Sequence, residues 1–325
     1  MNRNDRLKRA AAMISVVLHR VCGDRSAGRL GSLMYHRISP HSPGLPDPPH
    51  NVTPAEFRQQ ISGLLVRGYR FVKLSEVIHA YRAGTQLPRR SVVLTFDDIY
   101  ESVFRYAFPI MQELNVPGVA FLSTSFLDDE YPFPFDEWSC EHRDKVPPHE
   151  LRPIRLEQCR QMHASGLMEF GAHSHTHQDF RNRPDDFRQD VKISVNLVRD
   201  LFDLKDVPFA FPYGSTEQGH AGGEMSRAAQ LAGACCGLTT DCRLIDPIAE
   251  EPFSWGRFTA FSWDTPATLA ARLAGWHSWI FQSKRWLRRV FISAERFFSN
   301  CTLTKKTPRP SLAHSRNVSQ QGATK

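Results

Sequence analysis

A chain of 325 residues can fold as one large domain or two small ones, and it can bury a core without disulfide staples. Hydrophobic residues at 41% and charged residues at 23% are ordinary for a soluble globular protein, and no run reaches the ~20 apolar residues of a membrane-spanning helix. The net charge of +7 suits an anionic partner such as a membrane surface or an acidic glycan, and without a nucleic-acid-binding motif no nucleic-acid partner is expected. The seven cysteines are odd in number, irregularly spaced and free of any CxxC pair. That argues against a disulfide framework and a thiolate zinc site, and predicts reduced, mostly buried thiols.

The N-terminal 1–30 segment is basic and amphipathic. Its apolar stretch, Ala10 to Leu18, sits among Arg3, Arg6, Lys8, Arg9 and Arg20. Leu7, Ala10, Ile14, Val17, Leu18 and Val21 recur at helical spacing. An interfacial helix and a helix packed on the domain both fit this pattern. A secretory signal also begins in this way, but no clear small-residue cleavage site follows. The compartment stays open, cytoplasmic or peripheral to a membrane.

From residue 31 short apolar runs alternate with helix-period segments. Gly31–Tyr35 reads as a strand, Pro54–Val66 as a helix capped by Thr53, and Arg70–Leu74 as a strand before a helix capped by Ser75. Ser91–Phe96 (SVVLTF) is the nearly all-apolar run of a strand buried on both faces. A helix over Val103–Leu114 and a strand over Val119–Ser123 follow. Phe126 to Pro153 is rich in Pro, Asp and aromatics and reads as a long loop without regular elements. The alternation then resumes with a helix (Leu156–Ala164), a strand (Met168–Ala172), a helix (Phe187–Phe202), a strand (Pro208–Pro212), a helix (Met225–Ala232) and a strand (Ala234–Thr239). Repeated strand–helix units imply a parallel sheet, doubly wound or closed as a barrel. Residues 269–304 read as a basic Trp/Arg-rich helical segment, and 305–325 as a disordered tail.

Four chemistry-bearing segments fall at or just after predicted strand ends, where parallel sheets build their sites. They are Met34-Tyr35-His36, Thr95-Phe96-Asp97-Asp98, His173 to His177 (HSHTH) and Phe211-Pro212-Tyr213-Gly214. Adjacent carboxylates after a buried strand repel unless a cation or proton lies between them, although Asp also begins exposed loops. His173 and His177, four apart, can share a metal on one helical turn, or belong to a polar loop. Taken together, they make a two-His, one-carboxylate site with open positions plausible.

TFDD, HSHTH and FPYG, in this order and spacing, resemble carbohydrate esterase family 4, the polysaccharide deacetylases. LMYHR and VVLTFDD-x-Y-x-S resemble its bacterial branch with an N-terminal Tyr-His strand. The resemblance covers roughly residues 31–265, within a catalytic domain placed at 31–268. It implies a distorted (β/α)7 barrel and an enzyme that removes N-acetyl groups from a polysaccharide, lipid-linked sugar or cell-envelope glycan. It also implies one divalent metal ion: zinc first, with nickel, cobalt or iron able to take the same ligands. Asp98, His173 and His177 match the metal ligands, while His175 falls between them as a non-ligand. Asp97 matches the general base acting on a metal-bound water. Tyr213 matches the tyrosine whose backbone N–H holds the oxyanion. His36 looks like the general acid that protonates the departing amine, titrating near neutrality.

Two positions depart from the family pattern. Ile99 stands where glycine usually follows the Asp pair, and a β-branched residue resists positive φ, so altered local geometry is expected. The Arg of the family's Arg-x-Pro-Tyr is Ala210 here, and Arg257 of SWGRF is the candidate to supply its charge to Asp97. Alternative readings keep the metal site for O-acetyl ester or small-amide hydrolysis, or make the chain an inactive glycan-binding module.

Overall fold

The computed structural model describes residues 3–276. The expectations for 277–304 and for the 305–325 tail therefore lie outside the described residues. After α1 (Arg3–Cys22) come β1 (Gly31–Tyr35), the short pair β2 (Arg37–Ile38) and β3 (Asn51–Val52), α2 (Pro54–Val66), β4 (Arg70–Phe71), α3 (Leu74–Ala83) and β5 (Ser91–Phe96). Then follow α4 (Phe108–Leu114), β6 (Gly118–Leu122), α5 (Glu137–His142), α6 (Pro148–Leu151), α7 (Leu156–Ala164), β7 (Met168–Ala172) and α8 (Pro184–Phe202). The described part ends with β8 (Pro208–Ala210), α9 (Gly223–Leu231), β9 (Cys236–Leu238), β10 (Phe258–Thr259) and α10 (Pro266–Ala271), followed by a π-type turn over Arg272–Trp276.

The main sheet runs β10-β1-β5-β6-β7-β8-β9, with β4 also paired to β5, and all of these pairings are parallel. Helix crossovers bury both faces of a parallel sheet, so β5 is buried at every residue. The sheet curls on itself as the barrel expectation requires. Its two edges are linked by the segment 255–259: Trp255 bridges Leu238 of β9, and Phe258 pairs with Leu33 of β1. Packing inside the curl is tight. A Cβ on Gly171 of β7 would lie 2.7 Å from the Pro208 carbonyl, a contact only glycine avoids.

The helices start and stop where their sequences direct. Thr53 accepts the Glu56 N–H at 3.3 Å, and the Glu56 carboxylate accepts the Thr53 N–H at 2.9 Å, a reciprocal cap for α2. α8 opens with Pro184 in its first turn, buries Phe187, Val191, Val195 and Val198 on one face, and ends at left-handed Asp203.

Several local expectations need correction. α3 begins at Leu74 because the Lys73 N–H is taken by the Glu76 carboxylate at 3.0 Å, so Ser75 lies inside the first turn and is not the cap. The helix expected over Val103–Leu114 starts as a π-type turn, Val103–Ala107, with the Phe108 N–H on the Val103 carbonyl. Pro109 lacks an N–H and its ring crowds the carbonyl four residues back, which shifts the hydrogen-bond ladder. The stretch from 126 to 153 contains α5 and α6, the former capped by the Asp136 side chain on the Ser139 N–H. The described cysteines are all free, yet only Cys159 and Cys236 are buried, while Cys22 and Cys140 are exposed.

Candidate metal and catalytic site

The C-terminal ends of β1, β5, β7 and β8 bring the chemistry-bearing segments together. Asp97 and Asp98 follow β5 directly. The Ile99 N–H donates to the Asp97 carbonyl at 2.6 Å, closing a three-residue turn with Asp98 at φ 62° in its middle. Ile99 itself is held at φ 62°, so the left-handed conformation persists despite the β-branched side chain. The side chain offsets that strain by burial, being only 1% exposed in the main core. Ser174 at φ 64°, His177 at 53° and Tyr213 at 61° share the left-handed region. Backbone strain of this kind gathers at sites whose surroundings enforce it.

Asp98, His173 and His177 are all buried and present ligand atoms that lie within 4.8 Å of one another. Oδ1 of Asp98 faces Nε2 of His173 at 3.5 Å and Nε2 of His177 at 3.3 Å. That oxygen is buried without a hydrogen-bond partner, as is Nδ1 of His177. An orphaned buried acceptor is costly, and a cation between the three atoms removes the cost. Nδ1 of His173 lies 2.8 Å from the Ala210 carbonyl. A carbonyl only accepts, so Nδ1 carries the proton and Nε2 keeps its lone pair for an ion. Burial pushes Asp98 upward, but the two imidazoles hold it well below the usual carboxylate range. For His173, burial pulls downward, and the charges of Asp97 and Asp98 overcome it and raise the group. The residues present therefore fit a divalent ion of the kind that takes imidazole and carboxylate ligands.

Beside this trio, Arg257 grips Asp97 with both arms, Nη1 to Oδ1 at 2.5 Å and Nη2 to Oδ2 at 2.7 Å. The arginine is 0% exposed, and its Nε donates to the Thr239 carbonyl at 3.1 Å. Burial would raise Asp97, yet the Arg257 charge, helped by His173, brings it below its ordinary value. The Asp97 carboxylate is thus kept ionised and oriented. Arg257 reaches it from the segment that links the sheet edges, 160 residues further along the chain.

His36 follows β1, whose Tyr35 pairs with Phe96, so His36 stands at the same sheet edge as Asp97. Its ring stacks on His50, with centroids 4.9 Å apart. The expectation that His36 titrates near neutrality is corrected. Burial lowers it to about 4, opposed by Asp98 and reinforced by His50. Tyr213 is 46% exposed, its ring centroid lies 5.1 Å from that of His177, and Thr240 Oγ1 donates to its carbonyl at 3.0 Å. A Cβ on the adjacent Gly214, at φ 55°, would meet Thr240 Cγ2 at 2.7 Å, so this turn needs its glycine. His175 points away from the trio's chemistry, with Nδ1 3.0 Å from Thr124 Oγ1.

Three contributors were not picked out from sequence. Asp190 of α8 accepts the His175 N–H at 2.6 Å, the Thr176 N–H at 3.1 Å and the Thr176 hydroxyl at 2.6 Å, so one buried carboxylate shapes the HSHTH loop. A carboxylate on the mostly apolar buried face of α8 was the available signal. Phe135 stacks on His177 at 3.9 Å and 20°. Its loop is tied down where Arg37 Nη2 donates to Asp136 at 2.5 Å and to Ser139 Oγ at 2.7 Å. His50, in an irregular loop, carried no signal at all.

A buried carboxylate and two imidazoles, with an Arg-held carboxylate alongside, at the C-terminal edge of a curled parallel sheet define a barrel protein with an enclosed metal-type site. The polysaccharide deacetylase family profile matches residues 84–229. The poly-beta-1,6-N-acetyl-D-glucosamine N-deacetylase of Staphylococcus epidermidis is 24% identical over 211 residues, 62% of this chain and 65% of that protein. The Staphylococcus aureus (strain MSSA476) protein of the same name is 25% identical over 174 residues, covering 51% and 54%. The chain thus spans between about half and two thirds of the length of these relatives. Among solved structures, IcaB from Ammonifex degensii superposes with a TM-score of 0.60 at 25% identity, over 76% of this chain and 96% of that one. The Streptococcus pyogenes deacetylase PplD in complex with acetate gives 0.61 at 21%, over 75% and 98%, which speaks for the fold. Over residues 84–229 the chain is thus similar to the polysaccharide deacetylase family, to which its named relatives and solved neighbours also point.

Proposed function

We propose that this chain is a metal-dependent N-deacetylase acting on a polymer that contains N-acetylglucosamine. The observation that carries the reading is the unpartnered Asp98 Oδ1 facing two imidazole nitrogens, with the Arg257-held Asp97 beside it. The substrate class follows the relatives, which are named for deacetylation of poly-beta-1,6-N-acetyl-D-glucosamine.

Asp98, His173 and His177 would hold a divalent ion, zinc first, supplying Lewis-acid polarisation and an acidified water. Asp97 takes the proton of the attacking water; its lowered basicity keeps it ionised beforehand and lets it release that proton easily. The Tyr213 backbone N–H would donate to the acetyl oxygen as negative charge develops there. His36 is neutral in the resting site and gains its proton during turnover, favoured by the nearby Asp98 and Asp97 charges. The proton it takes up is the one that Asp97 removed from the water, and it passes on to the amine nitrogen as the C–N bond breaks. Water is consumed, and acetate and a free amine leave.

The test is acetate release from β-1,6-linked and β-1,4-linked N-acetylglucosamine oligomers, with and without chelator. Acetate should form, stop on chelation and return with added zinc. Asp97→Asn should retain metal and release nothing. Chelator-insensitive release, or full turnover by Asp97→Asn, would overturn the assignment.

A further inference from the structure

α1 is attached to the domain by one narrow face. Ala12, Ser15 and Val16 are buried, and Ser15 Oγ donates to the Trp276 carbonyl at 3.3 Å. The other face is unusual for a surface helix. Met13, Ile14, Val17 and Val21 are 59%, 50%, 59% and 78% exposed. At 3.6 residues per turn these four positions fall within an arc of about 100°, opposite the buried face, and so form one stripe. Of the eleven large apolar side chains exposed among the described residues, four gather on this helix. Scattered surface hydrophobics need no explanation, but a contiguous stripe does.

The charge around the stripe indicates what covers it. Residues 3–22 carry Arg3, Arg6, Lys8, Arg9 and Arg20 against a single acid, Asp5, in a chain whose net charge is +7. Exposed Arg9 and Arg20 lie beside the stripe near its two ends, Arg9 leaning over the Trp263 ring at 5.8 Å. An apolar stripe bordered by cations matches the acyl-headgroup boundary of an anionic bilayer. No described helix is long and apolar enough to cross a membrane, so this one would lie on the surface.

We propose that the Met13–Val21 stripe of α1 docks onto an anionic phospholipid surface, with the helix axis in the plane of the headgroups. The contact would also orient the enzyme. Lys8 sits 5.1 Å over the Phe261 ring, Phe261 lies 6.4 Å from His50, and His50 stacks on His36. The N-terminal half of α1 is thus at the rim of the site, and docking would bring that rim to the membrane. The proposal rests on α1 alone and does not need the deacetylase chemistry.

The experiment is co-sedimentation of the full chain with phosphatidylcholine vesicles, with and without phosphatidylglycerol. Wild type should pellet with the phosphatidylglycerol vesicles, less so at high salt, and weakly with phosphatidylcholine alone. Ile14→Glu and Val17→Glu should each bind about tenfold more weakly at an unchanged melting temperature, because both side chains face outward. Wild type that stays in the supernatant, or Val17→Glu that pellets equally, overturns the proposal. A concentration-dependent dimer that Val17→Glu dissolves, without vesicle binding, reassigns the stripe to a second copy. A fall in the melting temperature of Val17→Glu reassigns it to the chain itself.

Discussion

Removing Arg257 should expose how much of the site depends on one buried ion pair. The guanidinium and the Asp97 carboxylate are 0% and 3% exposed and meet at 2.5 and 2.7 Å. Arg257→Ala leaves the carboxylate buried and unpaired, and breaking such a pair costs about 3–5 kcal/mol. For a domain of this size that is roughly 10 °C in melting temperature. The pH dependence supplies the sharper signature. With Arg257 present, Asp97 is held below its ordinary value, so the pair stabilises above the unfolded carboxylate range and is lost as pH falls. Without it, burial dominates and Asp97 binds its proton more tightly folded than unfolded. The deficit is then greatest near neutrality and shrinks in acid. Urea unfolding of wild type, Arg257→Ala and Arg257→Met/Asp97→Asn at about pH 5 and pH 7.5 measures both effects. The double variant should recover most of the loss, and the acid limb of acetate release by Arg257→Ala should move to higher pH. A single-variant loss under about 1 kcal/mol, or a deficit independent of pH, would refute the reasoning.

Isothermal titration with zinc should show one equivalent bound by wild type and none by Asp98→Ala or His177→Ala. His175→Ala, whose imidazole faces Thr124 instead, should bind as wild type does, and equal losses would contradict the ligand set. Phe135→Ala frees the ring of His177 that it stacks on, and should weaken metal affinity about tenfold with little change in unfolding; unchanged affinity would make Phe135 mere packing. His36 binds its proton near pH 4 folded and near 6.5 unfolded, so the unfolded chain takes up more protons between those values. Its contribution to stability should therefore fall by about 3 kcal/mol as the pH drops from 6.5 to 4. His36→Gln should flatten that part of the stability–pH curve; parallel curves for the two proteins would dismiss the buried-neutral histidine.

The local part of this protein could be read directly from its chain. An all-apolar SVVLTF run next to two aspartates already says buried strand and sheet-edge site, because both features depend on neighbours only a few residues apart. The same holds for the Thr53 cap, the α8 stripe, and the HSHTH and FPYG segments at the ends of β7 and β8. What depended on distant neighbours needed the fold. Arg257 could be named from the sequence as the candidate partner of Asp97, but the bidentate grip itself was decided by the 255–259 segment joining the sheet's two edges, across 160 residues that no periodicity encodes. The His36 environment was decided the same way: an imidazole expected to titrate near neutrality is kept neutral because the barrel rim desolvates it against His50. Ile99 occupies a glycine-like conformation because its side chain finds a place in the core. Sequence carries propensity and pattern, which are local. Burial, charge pairing and strain relief depend on which residues the closed sheet brings into contact.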